Sequence, residues 1–217
     1  MDFAQKGRID MYKEKDRSYF LIAVIYWVMF MAALLLMSVL STKGIKNDFI
    51  QWGFTAITIL FVAVKDKNLT NVGFTTEKLK TNLIISCSVI VVSFLVGVAF
   101  GKYSLSTLFK RSLRQLFYTA VQEEIICRGF LQNYLMGLKC GKYVSFLIGG
   151  VMFSLAHLPY KMFMHNDFSL SYVLGDLPHL TFCFVFHLAA SFITYKRKDI
   201  TIPIAIHYAL NYVTKAL

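Results

Sequence analysis

Apolar residues come in long uninterrupted runs, and charged residues collect between them. The first run, about Tyr19 to Leu40, carries no charge and is long enough to cross a bilayer as one helix. Similar runs predict a second span over about Asp48 to Val64 and a third over about Thr81 to Gly101, whose Gly97-xxx-Gly101 pair hints at helix packing. The polar stretch Lys65 to Lys80 between them reads as a loop, with an interfacial turn around Asn71-Val72-Gly73-Phe74. The second half predicts a long helix from about Thr107 to Leu138 and a fifth helix over Lys142 to Leu158, stopped by Pro159. After a loop from Lys161 to Phe168 come a sixth helix, about Leu170 to Thr194, and a seventh, about Ile200 to Ala216. Pro203 lies in the first turn of the seventh, where proline is tolerated. The fold class this predicts is all-α, a polytopic membrane helix bundle with about seven transmembrane helices.

Composition agrees with that solvent. Of the 217 residues 57% are hydrophobic and 16% charged, where soluble domains carry about 25% charged residues. Mean hydropathy is +0.57. Three prolines and twelve glycines leave little for long linkers. One integral membrane domain over 1–217 is the simplest division, with N-terminal spans in 1–106 and a motif-bearing bundle in 107–217. The net charge of +11 does not indicate nucleic acid, because the basic residues sit in short clusters between apolar runs, where they suit membrane lipid headgroups. Lys6, Arg8, Lys13, Lys15 and Arg17 mark the first run as an uncleaved anchor. Counting Lys and Arg by segment favours an inside N-terminus. Cys87, Cys127, Cys140 and Cys183 show no paired spacing, and buried inert thiols are expected.

Against this background the run Glu123-Glu124-Ile125-Ile126-Cys127-Arg128 stands out. A charge at membrane depth costs roughly 2.5 kcal/mol or more, so it persists when paired or when it does chemistry. Two adjacent acids repel in a low-dielectric site, which makes one of them a candidate proton acceptor. Glu124 and Arg128 are four apart, within pairing reach on one helical face. Phe153 and His157 repeat that spacing on the fifth helix, as do His207 and Asn211 on the seventh. Pointing all of them into one interior cavity spares the lipid. A carboxylate can then deprotonate water, an imidazole can pass the proton to a leaving amine, and a second His with an Asn amide can stabilise an oxyanion. Peptide-bond hydrolysis is the natural reaction for that set. Taken singly the residues have plainer readings: Glu124 with Arg128 as a structural ion pair, His179 and His187 as hydrogen-bonded packing residues, and His165 as a solvated loop residue.

Glu-Glu-x-x-x-Arg at 123–128, Phe-x-x-x-His at 153–157 and His-x-x-x-Asn at 207–211 resemble the three motifs of the CPBP family. Its members are CAAX prenyl proteases and bacterial bacteriocin-processing, or abortive-infection, membrane proteins. The flanks Arg128-Gly129-Phe130-Leu131 and Ile202-Pro203-Ile204-Ala205-Ile206 agree, so the likeness covers about Gln115 to Val213. It implies an all-helical intramembrane glutamic endopeptidase with no cofactor, in a multi-pass protein of the bacterial plasma membrane. It further implies Glu123 as the base that activates water, assisted by His157, with His207 and Asn211 at the oxyanion and Glu124, Arg128 and Phe153 in support. The short chain places it nearer the small bacterial branch than the eukaryotic prenyl proteases. The implied partners are membrane lipid and a peptide or membrane-protein substrate, with the oligomeric state left open.

Three rivals remain at this stage. Two His and two Glu could bind zinc, although the His-Glu-x-x-His helix pair is missing and Arg128 would sit beside the cation. The fold could serve bacteriocin self-immunity or sensor binding without obligatory catalysis. A transporter or channel is poorer, because no repeat symmetry is present. Simple span counting also puts His157 near the outer end of its helix and His207 nearer the inner end of its own. Joining them at one glutamate requires tilt, a break near Pro159 or a different span count.

Overall fold

A computed structural model describes residues 11–75 and 77–217, so Lys6 and Arg8 of the basic N-terminal cluster lie outside the described residues. Among the described residues all regular structure is helical. The first three helices, α1 (Arg17–Thr42), α2 (Asp48–Lys65) and α3 (Leu79–Phe100), begin and end within a residue or two of the predicted limits. Long uncharged runs leave little freedom in placing them. Leu21, Ile25, Val28 and Met29 of α1, and Ile84, Val91, Val92 and Leu95 of α3, are exposed on the outside of the bundle, a surface that suits hydrocarbon and not water. Among the described residues four helices are long and apolar enough to cross a membrane: Arg17–Thr42, Leu79–Phe100, Lys142–His165 and Leu177–Arg197. The remaining apolar helices are shorter or interrupted.

The stretch predicted as an interfacial loop folds inward instead. Leu69–Val72 forms a 3-10 turn, Val72 is buried, and Gly73 takes the left-handed conformation at φ 96°. Gly129 has no side chain for a reason: a Cβ there would collide with the Val72 carbonyl. The Gly73 carbonyl in turn accepts from the Ile200 N–H at 3.0 Å. This turn therefore seats both the long central helix and the start of the last one.

The long helix predicted over 107–138 runs over 105–138 but is not uniform. It passes from α4 (Leu105–Gln115) through a π-helical turn (Leu116–Ala120) into α5 (Val121–Glu124). A second π segment (Ile125–Leu131) follows, then α6 (Gln132–Leu135) and a 3-10 turn (Met136–Leu138). Widened turns of this kind occur chiefly at functional sites. The chain continues through α7 (Lys142–Leu155), α8 (Leu158–His165), α9 (Leu170–Gly175), α10 (Leu177–Arg197) and α11 (Thr201–Ala216).

Three sequence expectations need correction here. Pro159 does not stop the fifth helix: the break falls at Ala156-His157, and Pro159 sits in the first turn of α8, where its missing N–H costs nothing. The loop 161–168 is helical as far as His165, and the sixth helix is divided at Asp176 into α9 and α10. The cysteines also divide. Cys127 and Cys183 are buried, whereas Cys87 on α3 and Cys140 before α7 are exposed; all four thiols are free.

Close helix packing positions the site. Gly97 lies directly against the Tyr212 ring and Gly101 against the Ala216 carbonyl, so the Gly97-xxx-Gly101 pair is the seat of α11 on α3. Gly150 admits the Phe184 ring, which draws α10 onto α7. Beneath the central helix, Phe130 and Tyr134 stack at 4.1 Å between ring centroids, and Tyr26 of α1 packs on Phe130 at 4.2 Å.

Candidate active site

The motif residues converge where the second π segment of the central helix faces α7, α10 and α11. Glu124 and Arg128 form the ion pair their spacing predicted, Arg128 Nη1 donating to Glu124 Oε1 at 2.7 Å with both side chains fully buried. A second donor reaches the same oxygen: His207 Nδ1 lies 2.7 Å from it. The Glu124 charge is thus shared between a guanidinium and an imidazole, which is what an ion needs to be tolerated at 0% exposure.

Arg128 is also covered by rings. The Phe153 ring lies 4.0 Å and the Phe186 ring 4.8 Å from its guanidinium carbon. Phe153 therefore does more than fill space, because the negative face of an aromatic ring attracts a desolvated cation. Its presence one turn before His157 places a ring on Arg128 and an imidazole toward Glu123 from the same helix end.

Glu123 is rotated away from this pair and is partly exposed. His207 Nε2 lies 3.7 Å and His157 Nε2 4.0 Å from Glu123 Oε2. That oxygen is buried and has no hydrogen-bond partner within the protein. The Glu123 and His157 side chains retain 21% and 26% exposure, against 0% for Glu124, so the two acids differ in access to substrate. His207 bridges them, one ring nitrogen toward each. His157 is oriented by its other nitrogen, Nδ1, which donates to the Phe153 carbonyl at 2.9 Å and leaves Nε2 directed at Glu123.

Asn211 lies one helical turn beyond His207 on α11 and is half-buried. Its side chain makes no hydrogen bond among the described residues, so it enters the site by position and not through a bond. The difficulty with span counting is resolved by two features of the chain. α7 continues past the break as α8, which puts His157 inside the apolar stretch Lys142–His165. The start of α11 is itself buried, Ile200 being 0% exposed under the 69–73 turn, which carries His207 inward.

Several groups beside the site escaped the sequence reading. Gln132 continues the ladder Glu124, Arg128 by four more residues, and its Oε1 lies 2.9 Å from His187 Nε2, both side chains fully buried. Gly149 is obligatory there, since a Cβ would strike the Gln132 amide oxygen. His187 is thus the hydrogen-bonded packing residue expected of it. Tyr12, left-handed at φ 62°, sends its hydroxyl to the Arg128 carbonyl at 3.0 Å and takes the Asn133 amide oxygen on its own N–H at 3.0 Å. Nothing in the sequence marks that contact. His179 stands beside His157 with Asp176 next to it, and their spacing of three was the available signal. His165 ends α8 and is exposed.

Residues 105–213, half of the chain, match the protein family described as Type II CAAX prenyl endopeptidase Rce1-like. The matched segment contains every motif residue of the site and begins with the first residue of α4. No curated protein and no solved structure matches the chain.

Proposed function

The chain belongs to the Rce1-like family of type II CAAX prenyl endopeptidases, and from that premise we propose that it cleaves a membrane-associated peptide with water activated by Glu123. As a member of that family it is a membrane protein of protease type. The finer reading is a multi-pass protein of the bacterial plasma membrane, in the small bacterial branch, acting by glutamate catalysis without a metal.

The observation that carries this reading is the environment of Glu123 Oε2. It is a buried acceptor without a protein partner, faced by two imidazole nitrogens at 3.7 and 4.0 Å. These separations are too long for direct bonds and suit an oxygen held among the three groups. A water in that position loses a proton to Glu123 as it attacks the scissile carbonyl. The proton then passes, directly or through His157, to the departing amine. His207 donates Nδ1–H to Glu124, so its Nε2 accepts in the neutral ring and donates to an oxyanion only as the imidazolium. The Asn211 amide is a donor at any pH. Glu124 and Arg128 take no proton in this scheme and hold His207 and the central helix in register.

The metal-free reading is supported by the commitments of these side chains. Glu124 Oε1 is already shared by Arg128 and His207, and a guanidinium beside a bound dication is unfavourable. The test is cleavage of a lipidated peptide by the detergent-purified chain, followed by mass spectrometry. Turnover should survive a strong chelator and be lost in Glu123→Gln. Cleavage that disappears on chelation and returns with zinc would overturn the glutamate mechanism.

A further inference from the structure

His157 hangs on a weak point of the backbone. It occupies the two-residue gap between α7 and α8, where its N–H reaches the Ser154 carbonyl at 3.1 Å in a tightened turn. From the α7 side its ring is held by the Phe153 carbonyl and by the Phe153 ring at 4.8 Å. What holds the far side is Asp176, at the corner between α9 and α10. One Asp176 oxygen binds Lys161 Nζ at 2.6 Å, and Lys161 lies one turn beyond His157 on α8. The other oxygen is 3.5 Å from His179 Nδ1 and has no closer partner among the described residues. The His179 ring stands edge-on to the His157 ring, 5.6 Å between centroids, and its second nitrogen is 3.6 Å from Cys183 Sγ.

We propose that Asp176 and His179 are positioning residues for His157, with Asp176 tying α8 down through Lys161 and aligning His179 as the wall against which the His157 ring rests. This inference rests on the proposed role of His157 at Glu123. Asp176 bonds Lys161 just beyond the helix break and faces His179 in the first turn of α10. Lys161 fixes the break from below, and His179 blocks rotation of the imidazole away from Glu123. A ring displaced by an ångström would lose its line to Glu123 Oε2, already 4.0 Å away.

The test uses the full chain in detergent micelles with isotope-labelled histidine, the His157 resonances being assigned by their loss in His157→Gln. In the wild type His157 should show a single neutral tautomer, protonated at Nδ1, as the Phe153 bond requires. Asp176→Asn, Lys161→Met and His179→Phe should each shift the His157 signals and mix its tautomers, with circular dichroism and melting unchanged. His157 signals that stay fixed in Asp176→Asn and in Lys161→Met would overturn the proposal. On a farnesylated CAAX peptide the same variants should lower kcat by about 10- to 100-fold with KM held within about twofold. An unchanged kcat in all three would also overturn it. A wild type that cleaves no peptide would count against the protease reading alone, because the histidine spectra decide the positioning role without turnover.

Discussion

The two neighbouring glutamates have opposite fates because one residue along a helix is a third of a turn. Glu124 points into the bundle, where its Oε1 takes both Arg128 and His207 while its Oε2 stays unbonded, and Glu123 turns away from that pair, its unbonded Oε2 faced by two imidazole nitrogens at 3.7 and 4.0 Å. Substitutions should separate them. Removing one member of a buried ion pair leaves an uncompensated charge and costs about 3–5 kcal/mol. Arg128→Met should therefore lower the melting temperature sharply in detergent, while Glu123→Gln leaves stability within about 1 kcal/mol and abolishes turnover. Phe153 offers a finer test of the ring on the guanidinium. Phe153→Leu should cost about 2 kcal/mol or more beyond its lost volume, and Phe153→Trp should retain most of the cation–π attraction. A Phe153→Leu protein as stable as the wild type would show that the ring is only filler. Six of the seven motif residues were legible because polar side chains are conspicuous in apolar helices, and Phe153 only through its spacing of four from His157. Tyr12, Asp176 and His179 were not, because their importance lies in contacts 116, 15 and 22 residues away along the chain, with Arg128, Lys161 and His157.

At the scale of elements, boundaries were readable wherever a hydrophobic run ended in charges, as in α1, α2 and α3. They were misread wherever the backbone departs from the α-helix without changing hydropathy. The two π turns at 116–120 and 125–131 leave no mark in an apolar run. Pro159 misled in the opposite way, because proline ends helices in general but is comfortable at the second position of α8. Pro159→Ala should accordingly shift stability by less than about 1 kcal/mol. Gly129→Ala, a smaller change on paper, should be far worse. Its methyl group has no space against the Val72 carbonyl, and overpacking of this kind costs about 1–3 kcal/mol. Since Gly129 lies one residue past Arg128 in the widened turn, that strain should reach the site and lower turnover as well as melting temperature. Equal behaviour of Gly129→Ala and wild type in both measurements would mean the 69–73 turn yields freely.

For the whole molecule the ends of the bundle carry the remaining information. Tyr19 and Tyr134 meet on Asp66, Lys142 reaches Tyr195 and Arg197 reaches Asn82 at one end. The Lys102 N–H meets the Ala216 carbonyl, Arg111 the Lys215 carbonyl and Lys161 meets Asp176 at the other. The candidate site lies between these ends: Phe30 in the middle of α1 packs with Ile126, Phe153 and Cys183 at its floor. Lys161, Asp176 and His179, beside the site, lie toward the second end. Cys140 marks the first end and His165 the second, so a bilayer around the apolar belt would separate them. In intact cells expressing a chain with the other cysteines replaced, a membrane-impermeant maleimide should label a cysteine at only one of positions 140 and 165. The richer set of Lys and Arg lies at the Cys140 end, which by the positive-inside rule would be cytoplasmic. Labelling at His165→Cys with protection at Cys140 is then the expected outcome, and it would put Lys161, Asp176 and His179 on the outer side. Labelling of both positions would show that the helices do not enclose the site across a bilayer, and the reverse pattern would put Lys161, Asp176 and His179 on the cytoplasmic side.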